Sequence, residues 1–255
     1  MYTLILAAGS GTRLGARAQG ALKCLVLLEG RSLLDRSLEV LATRGDLDVH
    51  LVGGKLADQL EPFGYPVIRN AEAARTNIVG TLARGLAAAD WPSQALVLYG
   101  DIVYEPKVLA AALASSTADV VLPVNTDWRR LWALRMADPL KDAETLIMSD
   151  DGSAVLEIGG RPADYSQVQA QFMGIFRLGR GAIDHLRQLD PQLRDGLDVT
   201  SWVGMLIEAG LIVQPVAVFG GWLEVDCASD LDTYEALSRT GTIGEICELL
   251  PRTAR

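Results

Sequence analysis

The stretch YTLILAAGSGTRLG, residues 2–15, ends an apolar run in a loop that carries Gly9, Gly11 and Gly15, the hydroxyl residues Ser10 and Thr12, and Arg13. Glycines let backbone N–H groups approach an anion without a Cβ in the way, and an arginine adds a fixed charge. The loop therefore has the donors a phosphate needs, more than a turn alone requires. A dinucleotide-binding turn is the first competitor, because Glu29 ends the run CLVLLE about twenty residues later, where a ribose-binding acid would sit. That motif needs a helix at the loop, and Gly11, Gly15 and Gly20 interrupt the segment before Lys23 too often for one. The G-x-x-x-x-G-K-[ST] pattern of a P-loop is also missing. What remains is a loop that wraps a nucleoside triphosphate, with Arg13 on its phosphates, Lys23 as a second cation, and Ser10 and Thr12 as phosphate donors rather than nucleophiles.

Such a loop needs a strand before it and a sheet to hold the strand. The runs TLILA, DVHLVG, YPVIRN, ALVLYGD and DVVLPV alternate with the helix-period segments SLLDRSLEVLAT, KLADQLEPF, IVGTLARGLAAAD and EPKVLAAALASS. This alternation predicts an α/β fold, a Rossmann-like and mostly parallel sheet with helices on both faces. After Pro123 the rhythm changes: ETLIMS and AVLEIG flank DDG, a hairpin signal, so a small β lid is expected as an insertion over about 125–170. The chain returns through QFMGIFRL, a helix from about Arg180, a helix in DVTSWVGMLIEAG, the strands LIVQPVAVF and WLEVD, and helices after Ser229 and Thr242. With no internal repeat or linker, one domain over 1–255 is the expected organisation.

The bulk numbers narrow the partners. A chain of 255 residues with 49% hydrophobic residues can bury a large core, and its net charge of −9 argues against a nucleic-acid polymer or an anionic membrane as partner. Cys24, Cys227 and Cys247 form no C-x-x-C pair, so neither a disulfide framework nor a zinc site is suggested and a cytoplasmic location is expected. The first apolar run breaks at glycine within a few residues, unlike a signal peptide or a membrane span. His50 and His185 fall in a strand and a helix without a partner motif and are read as structural.

LAAGSGTRLG followed by LKCLVLLEGRSLLDRSLE resembles the signature of the nucleotidyltransferases that make nucleoside-diphosphate sugars and cytidine-diphosphate conjugates. The resemblance implies their fold, a nucleotide-diphospho-sugar transferase-like sheet of the GT-A type. It also implies nucleotide binding by Leu6, Ala7, Ala8, Gly9, Ser10, Gly11 and Thr12, with Arg13 and Lys23 as the catalytic cations. One departure is Leu22, where the family usually has proline. GDIVYEPKVL, DWRRLWALR, DAET, QFMGIFRL and GGWLEVDCASDLDTYE are similar to one branch, the phosphocholine and phosphonate cytidylyltransferases, including domains fused to phosphoenolpyruvate mutase. In that branch RTNIVGTL matches a segment read as xTNxxxSL, which places Asn77 near the nucleotide, while Gly80 and Thr81 depart from it.

Nucleotidyl transfer asks for Mg²⁺, because charge on the attacked and leaving phosphates must be neutralised. Asp101 follows a central strand in ALVLYGD, and Glu224 and Asp226 alternate on one side of the late strand WLEVD. Each acid alone has a plain alternative, a helix cap at Asp226 or Ser229 or a solvated strand edge; the resemblance implies that all three are metal ligands. The acceptor is expected at the lid, where Trp128 and Trp132 would box an ammonium and Arg129 and Arg135 would clamp a phosphonate. The same spacing of four suits a buried helix face, and Arg135 could equally pair with Glu144. The expected activity is transfer of CMP from CTP to a small phosphonate or phosphomonoester, such as 2-aminoethylphosphonate, 2-hydroxyethylphosphonate or phosphocholine, releasing pyrophosphate; assembly as a homodimer is admitted. The rivals are a sugar-1-phosphate nucleotidylyltransferase and a catalytically inactive nucleotide-sensing subunit.

Overall fold

The computed structural model describes residues 1–18 and 20–250. Strand β1 (Tyr2–Leu6) is the first apolar run and is buried from Thr3 onward. Two short strands, β2 (Leu27–Leu28) and β3 (Arg31–Ser32), form a small ribbon before helix α1 (Leu33–Ala42), whose N-terminus is capped by the Ser32 hydroxyl accepting from the Asp35 N–H. β1 then pairs in parallel with β4 (Asp48–Gly53), and β4 with β5 (Val67–Arg69). After α2 (Ile78–Ala87) the chain enters β6 (Ala95–Tyr99), parallel to β1 on its other side. Strands covered on both faces read as unbroken apolar runs, as β1 and β6 do, whereas β5 at the sheet edge is only partly buried.

Past β6, the strand β7 (Ile102–Tyr104) leaves the main sheet, and α3 (Pro106–Ala112) leads to β8 (Val120–Asn125). The run QFMGIFRL splits into β11 (Gln171–Phe172) and β12 (Ile175–Leu178) at Gly174, whose φ of 67° suits glycine. β12 runs antiparallel between β6 and β8, and β13 (Val213–Val218) lies parallel to β8. One antiparallel line thus interrupts an otherwise parallel sheet. The late strand β14 (Trp222–Glu224) pairs with β7 in a separate ribbon instead of joining the main sheet.

Alternation along the strands divides the core. Ile5, Leu96 and Leu98 face a layer made by α1, α3, α4 (Trp128–Arg135) and α8 (Ala228–Arg239). Leu4, Leu6 and Val97 face α2, α5 (Arg180–Gln188) and α7 (Val199–Glu208). The expected β lid contains α4 and the antiparallel hairpin β9 (Leu146–Met148) and β10 (Val155–Ile158), and Gly159 after the hairpin lies against Thr200 of α7. The segment KLADQLEPF is a 3-10 run, Ala57–Phe63, with Pro62 inside it, and the chain after Thr242 forms a 3-10 turn, Ile243–Glu245, where a helix was expected. Among the described residues no helix is long and apolar enough to cross a membrane.

Candidate active site

The glycine loop leaves the C-terminal edge of the sheet, where open α/β sheets hold ligands. The Ala7 N–H donates to the Val52 carbonyl at 2.8 Å and the Gly100 N–H to the Leu6 carbonyl at 3.0 Å, which ends the ladder on both sides of β1. Beyond it the chain turns through Gly11 at φ 63°, and a Cβ there would lie 3.4 Å from Lys23 Cα. Instead of a helix there are two 3-10 pieces, Thr12–Arg17, kinked at Gly15, and Lys23–Leu25. The Lys23 N–H donates to the Gly9 carbonyl at 3.0 Å, so the loop is tied to its lysine. Leu22 takes φ −60° and ψ 145°, the backbone a proline would impose. Its N–H, which proline lacks, donates to Gln59 Oε1 at 2.9 Å, so a tertiary hydrogen bond holds the geometry that the ring supplies elsewhere.

Beside the loop lies a cavity of about 240 Å³ walled by Leu6, Ala8 and Gly9, by Ala73, Thr76, Asn77, Ile78 and Thr81, and by Tyr99 and Asp101. Asn77 is the N-cap of α2, its Oδ1 accepting from the Ile78 N–H at 2.8 Å, and it faces this cavity as well. Buried Asn70 donates from Nδ2 to both Thr76 Oγ1 and Thr81 Oγ1 at 3.0 Å, fixing the two hydroxyls that line the wall. Gly80, the departure from the family pattern, also has a local cause. A Cβ there would lie 2.8 Å from Asp195 Oδ1, where the short helix α6 (Pro191–Gly196) closes on α2 through a bidentate Arg84–Asp195 pair. A larger open cleft of about 570 Å³, lined in part by Arg31, Arg36 and Glu248, lies among residues outside this site.

The three expected carboxylates do come together, but with cations between them. Lys23 Nζ sits 2.6 Å from Asp101 Oδ2 and 2.7 Å from Asp226 Oδ1, with its side chain 12% exposed. Arg13, largely in solvent, reaches Asp226 Oδ1 at 3.1 Å. Arg135 enters from α4 with a side chain only 2% exposed and donates to Glu224 Oε2 at 3.1 Å, Asp226 Oδ2 at 3.0 Å and Asp230 Oδ1 at 3.0 Å. Burial works against the charge on Lys23, yet Asp101 and Asp226 outweigh it and raise its pKa. Burial, then the Asp226 charge, pushes Glu224 above the usual carboxylate range. Burial also opposes ionisation of Asp226, but Lys23 and Arg135 hold its pKa below that range. Among the described residues no three His, Cys, Asp or Glu side chains are set to share a metal ion in this arrangement. The donor set nonetheless suits a hard divalent cation: the atoms are carboxylate oxygens, and Asp101 Oδ1 is buried without a hydrogen-bond partner.

The acceptor expectations fare differently. The Trp128 and Trp132 rings are core, 1% and 3% exposed. Trp128 Nε1 donates to the Val168 carbonyl and Trp132 Nε1 to Asp142, and Trp132 stacks on Trp222 at 5.9 Å, so these rings do not wall an open pocket. Arg129 lies over the Tyr165 and Trp128 rings and donates to the Tyr165 carbonyl. Arg135 pairs with Glu224, Asp226 and Asp230 instead of Glu144, because three carboxylates converge on its buried fork of donors. Neither Asp226 nor Ser229 is the N-cap of α8; Cys227 is, and Asp230 in the first turn accepts from the Asp226 and Cys227 N–H groups at 2.7 and 3.0 Å. Asp230 carries no capping-box signal in the sequence, because a cysteine stands where that pattern has Ser or Thr. His50 packs on Tyr2 with its Nε2 3.1 Å from Asp48 Oδ1, and His185 accepts from Trp202 Nε1, so the contacts of both lie apart from Asp101, Glu224 and Asp226.

Comparison with known proteins places this geometry. The model of the MobA-like NTP transferase domain matches residues 3–202. The CTP:phosphoglutamine cytidylyltransferase of Campylobacter jejuni is 28% identical over 251 residues, covering 91% of this chain and 98% of that one. The solved inositol-1-phosphate CTP transferase from T. maritima superposes with a TM-score of 0.74 at 18% identity, covering 97% of each chain. The CTP:phosphocholine cytidylyltransferase from Streptococcus pneumoniae does so with a TM-score of 0.68 at 18% identity, covering 93% of this chain and 98% of that one. These two structures establish the expected fold, a nucleotidyltransferase sheet with helices on both faces.

Proposed function

Because this chain belongs to the MobA-like NTP transferase domain family, we propose that it is a cytidylyltransferase that joins CMP from CTP to a small phosphomonoester or phosphonate and releases pyrophosphate. The observation that carries the reading is the continuity of three parts: the base-sized cavity ends at Asp101, Asp101 meets Lys23, and Lys23 is tied to the glycine loop. A nucleoside triphosphate laid along this line has its base against Ala8, Asn77 and Thr81 and its phosphates over the loop. The preference for CTP and for a phosphorylated acceptor is supported by the relatives named above, and the small side chains of Ala7 and Ala8 let main chain approach the base edge.

The loop N–H groups and Arg13 hold the outer phosphates, where the developing charge of the leaving pyrophosphate collects. Lys23, the more enclosed of the two cations, stands at the junction of loop and carboxylates and serves the α-phosphate. An ionised oxygen of the acceptor attacks the α-phosphorus, a new P–O bond forms, and the bond to the bridging oxygen of the β-phosphate breaks in line. No covalent enzyme intermediate is needed, since the acceptor oxygen is already ionised near neutral pH. Asp101, Asp226 and Glu224 are the residues that would hold Mg²⁺, which when bound neutralises phosphate charge. For Lys23 this implies an exchange of partners, carboxylates in the free protein and phosphate in the complex.

The test is pyrophosphate release with CTP, UTP, ATP and GTP against phosphocholine, 2-aminoethylphosphonate, 2-hydroxyethylphosphonate, inositol 1-phosphate and glucose 1-phosphate, with Asp101→Asn as the inactive control. CTP with one of the first four acceptors is expected to give the highest kcat/KM. A grid won by glucose 1-phosphate with UTP overturns the reading in favour of a sugar-nucleotide enzyme.

A further inference from the structure

Two buried side chains join the insertion to the far end of the chain, and neither touches the cavity or the glycine loop. Arg135 lies on α4 within the insertion, and Asp230 lies in the first turn of α8, almost a hundred residues later. The Asp230 carboxylate serves both segments: its Oδ2 accepts from the backbone N–H groups of Asp226 and Cys227 and, at 3.3 Å, from Arg135 Nη2, while its Oδ1 accepts from Arg135 Nε. The same guanidinium then donates from Nη2 to Asp226 Oδ2 and from Nη1 to Glu224 Oε2. Asp226 is therefore gripped twice by one ion pair, at its backbone through Asp230 and at its carboxylate through Arg135.

The grip is directional. A planar guanidinium presents its donors in a fixed fork, so binding Asp226 Oδ2 determines the rotation of that carboxylate and turns Oδ1 toward Lys23 and Arg13. Arg135 is further fixed by the Trp132 ring, 5.2 Å below its charge, and Trp132 by its stack on Trp222. A chain of aromatic packing thus holds the fork, the fork holds the acid pair, and Asp226 of that pair meets Lys23.

We propose that Arg135 and Asp230 are positioning residues for nucleotidyl transfer: together they set which oxygens of Asp226 and Glu224 face the Lys23 side of the site, and they couple the insertion to it. The inference rests on the reaction proposed above. An ammonium cannot replace the fork, because it offers one point of charge where three carboxylates are bridged. Groups that orient such ligands typically matter by about 10–100-fold.

The experiment compares the full-length chain with Arg135→Lys and Asp230→Asn in three measurements: melting temperature, steady-state pyrophosphate release, and Mn²⁺ binding by calorimetry without substrate. The expected result for Arg135→Lys is a kcat lower by about 10–100-fold, a KM for CTP changed much less, and weaker Mn²⁺ binding, in a protein that still melts cooperatively. Asp230→Asn, which keeps the side-chain shape, should follow the same pattern. Equal Mn²⁺ affinity and equal kcat in the wild type and Arg135→Lys overturn the positioning role. A wild-type chain that binds Mn²⁺ more tightly than Arg135→Lys but releases pyrophosphate from no tested pair overturns the proposed reaction and leaves standing only the orientation of Asp226 and Glu224 by Arg135.

Discussion

Replacing Lys23 by methionine removes one charge while keeping most of the aliphatic stem, and the structure says where the loss falls. Lys23 is 12% exposed and its two partners about a fifth exposed, so the pair lies between the buried and surface limits. Removing one partner of a buried pair costs about 3–5 kcal/mol and of a surface pair about 0–1 kcal/mol. Asp226 keeps Arg13 and Arg135, whereas Asp101 Oδ2 loses its ammonium beside an Oδ1 that already has no partner. The penalty therefore falls mainly on Asp101, and a loss of about 2 kcal/mol follows from the intermediate burial. For a chain of this length that corresponds to a fall of about 4–8 °C in Tm. Differential scanning calorimetry at low ionic strength reads it, and a second scan with millimolar Mg²⁺ should recover more of the loss in the variant than it adds to the wild type, because the variant's carboxylates lack their resident cation. In turnover, kcat should fall by about 100-fold or more with KM for CTP changed less, as a cation acting on transition-state charge requires. An unchanged Tm refutes the ion-pair reasoning, and a defect confined to KM shows Lys23 to be a ground-state clamp.

Glu224 and Trp132 give two further tests. The pKa of Glu224 is raised by burial and by Asp226 to about 8, so its contribution to stability is full below the ordinary carboxylate range and is lost as pH rises through the raised value; Glu224→Gln should flatten the decline of Tm between about pH 5 and pH 8, and an unchanged pH profile refutes the shift. Trp132→Phe should lower Tm, since it removes part of a stacked and hydrogen-bonded ring, while leaving the KM of the acceptor unchanged; an acceptor KM raised tenfold at constant Tm would return Trp132 to the acceptor pocket.

Much of the scaffold was legible along the chain because its signals are local. The strand-loop sequence YTLILAAGSGTRLG ends its strand ahead of Gly11 and Gly15, which take φ values of 63° and 50° that other residues rarely adopt, and Lys23 follows at a distance that the loop itself closes through Gly9. Continuous apolar runs announced β1, β4, β6 and β8, since strands covered on both faces need no polar side. Asp101, Glu224 and Asp226 stood out as acids directly after such runs, and the structure brings all three to Lys23 or Arg135.

What the chain alone left open was settled by partners distant in sequence. A spacing of four in DWRRLWALR is the same for a buried face and a binding wall, and only the arrival of Trp222 and Val168 makes Trp128 and Trp132 core. Arg135 had an equally reasonable partner in Glu144, but the β14–α8 junction delivers three carboxylates to one point, and a guanidinium already stripped of water goes where the most charge and acceptors converge. Leu22 holds a proline's backbone because Gln59, far along the chain, accepts its N–H. Local sequence determined the loop and the strands, since turn geometry and hydrophobic period act over a few residues; the pairing of charges was decided by tertiary structure, because Coulomb attraction and desolvation depend on which groups the fold buries together.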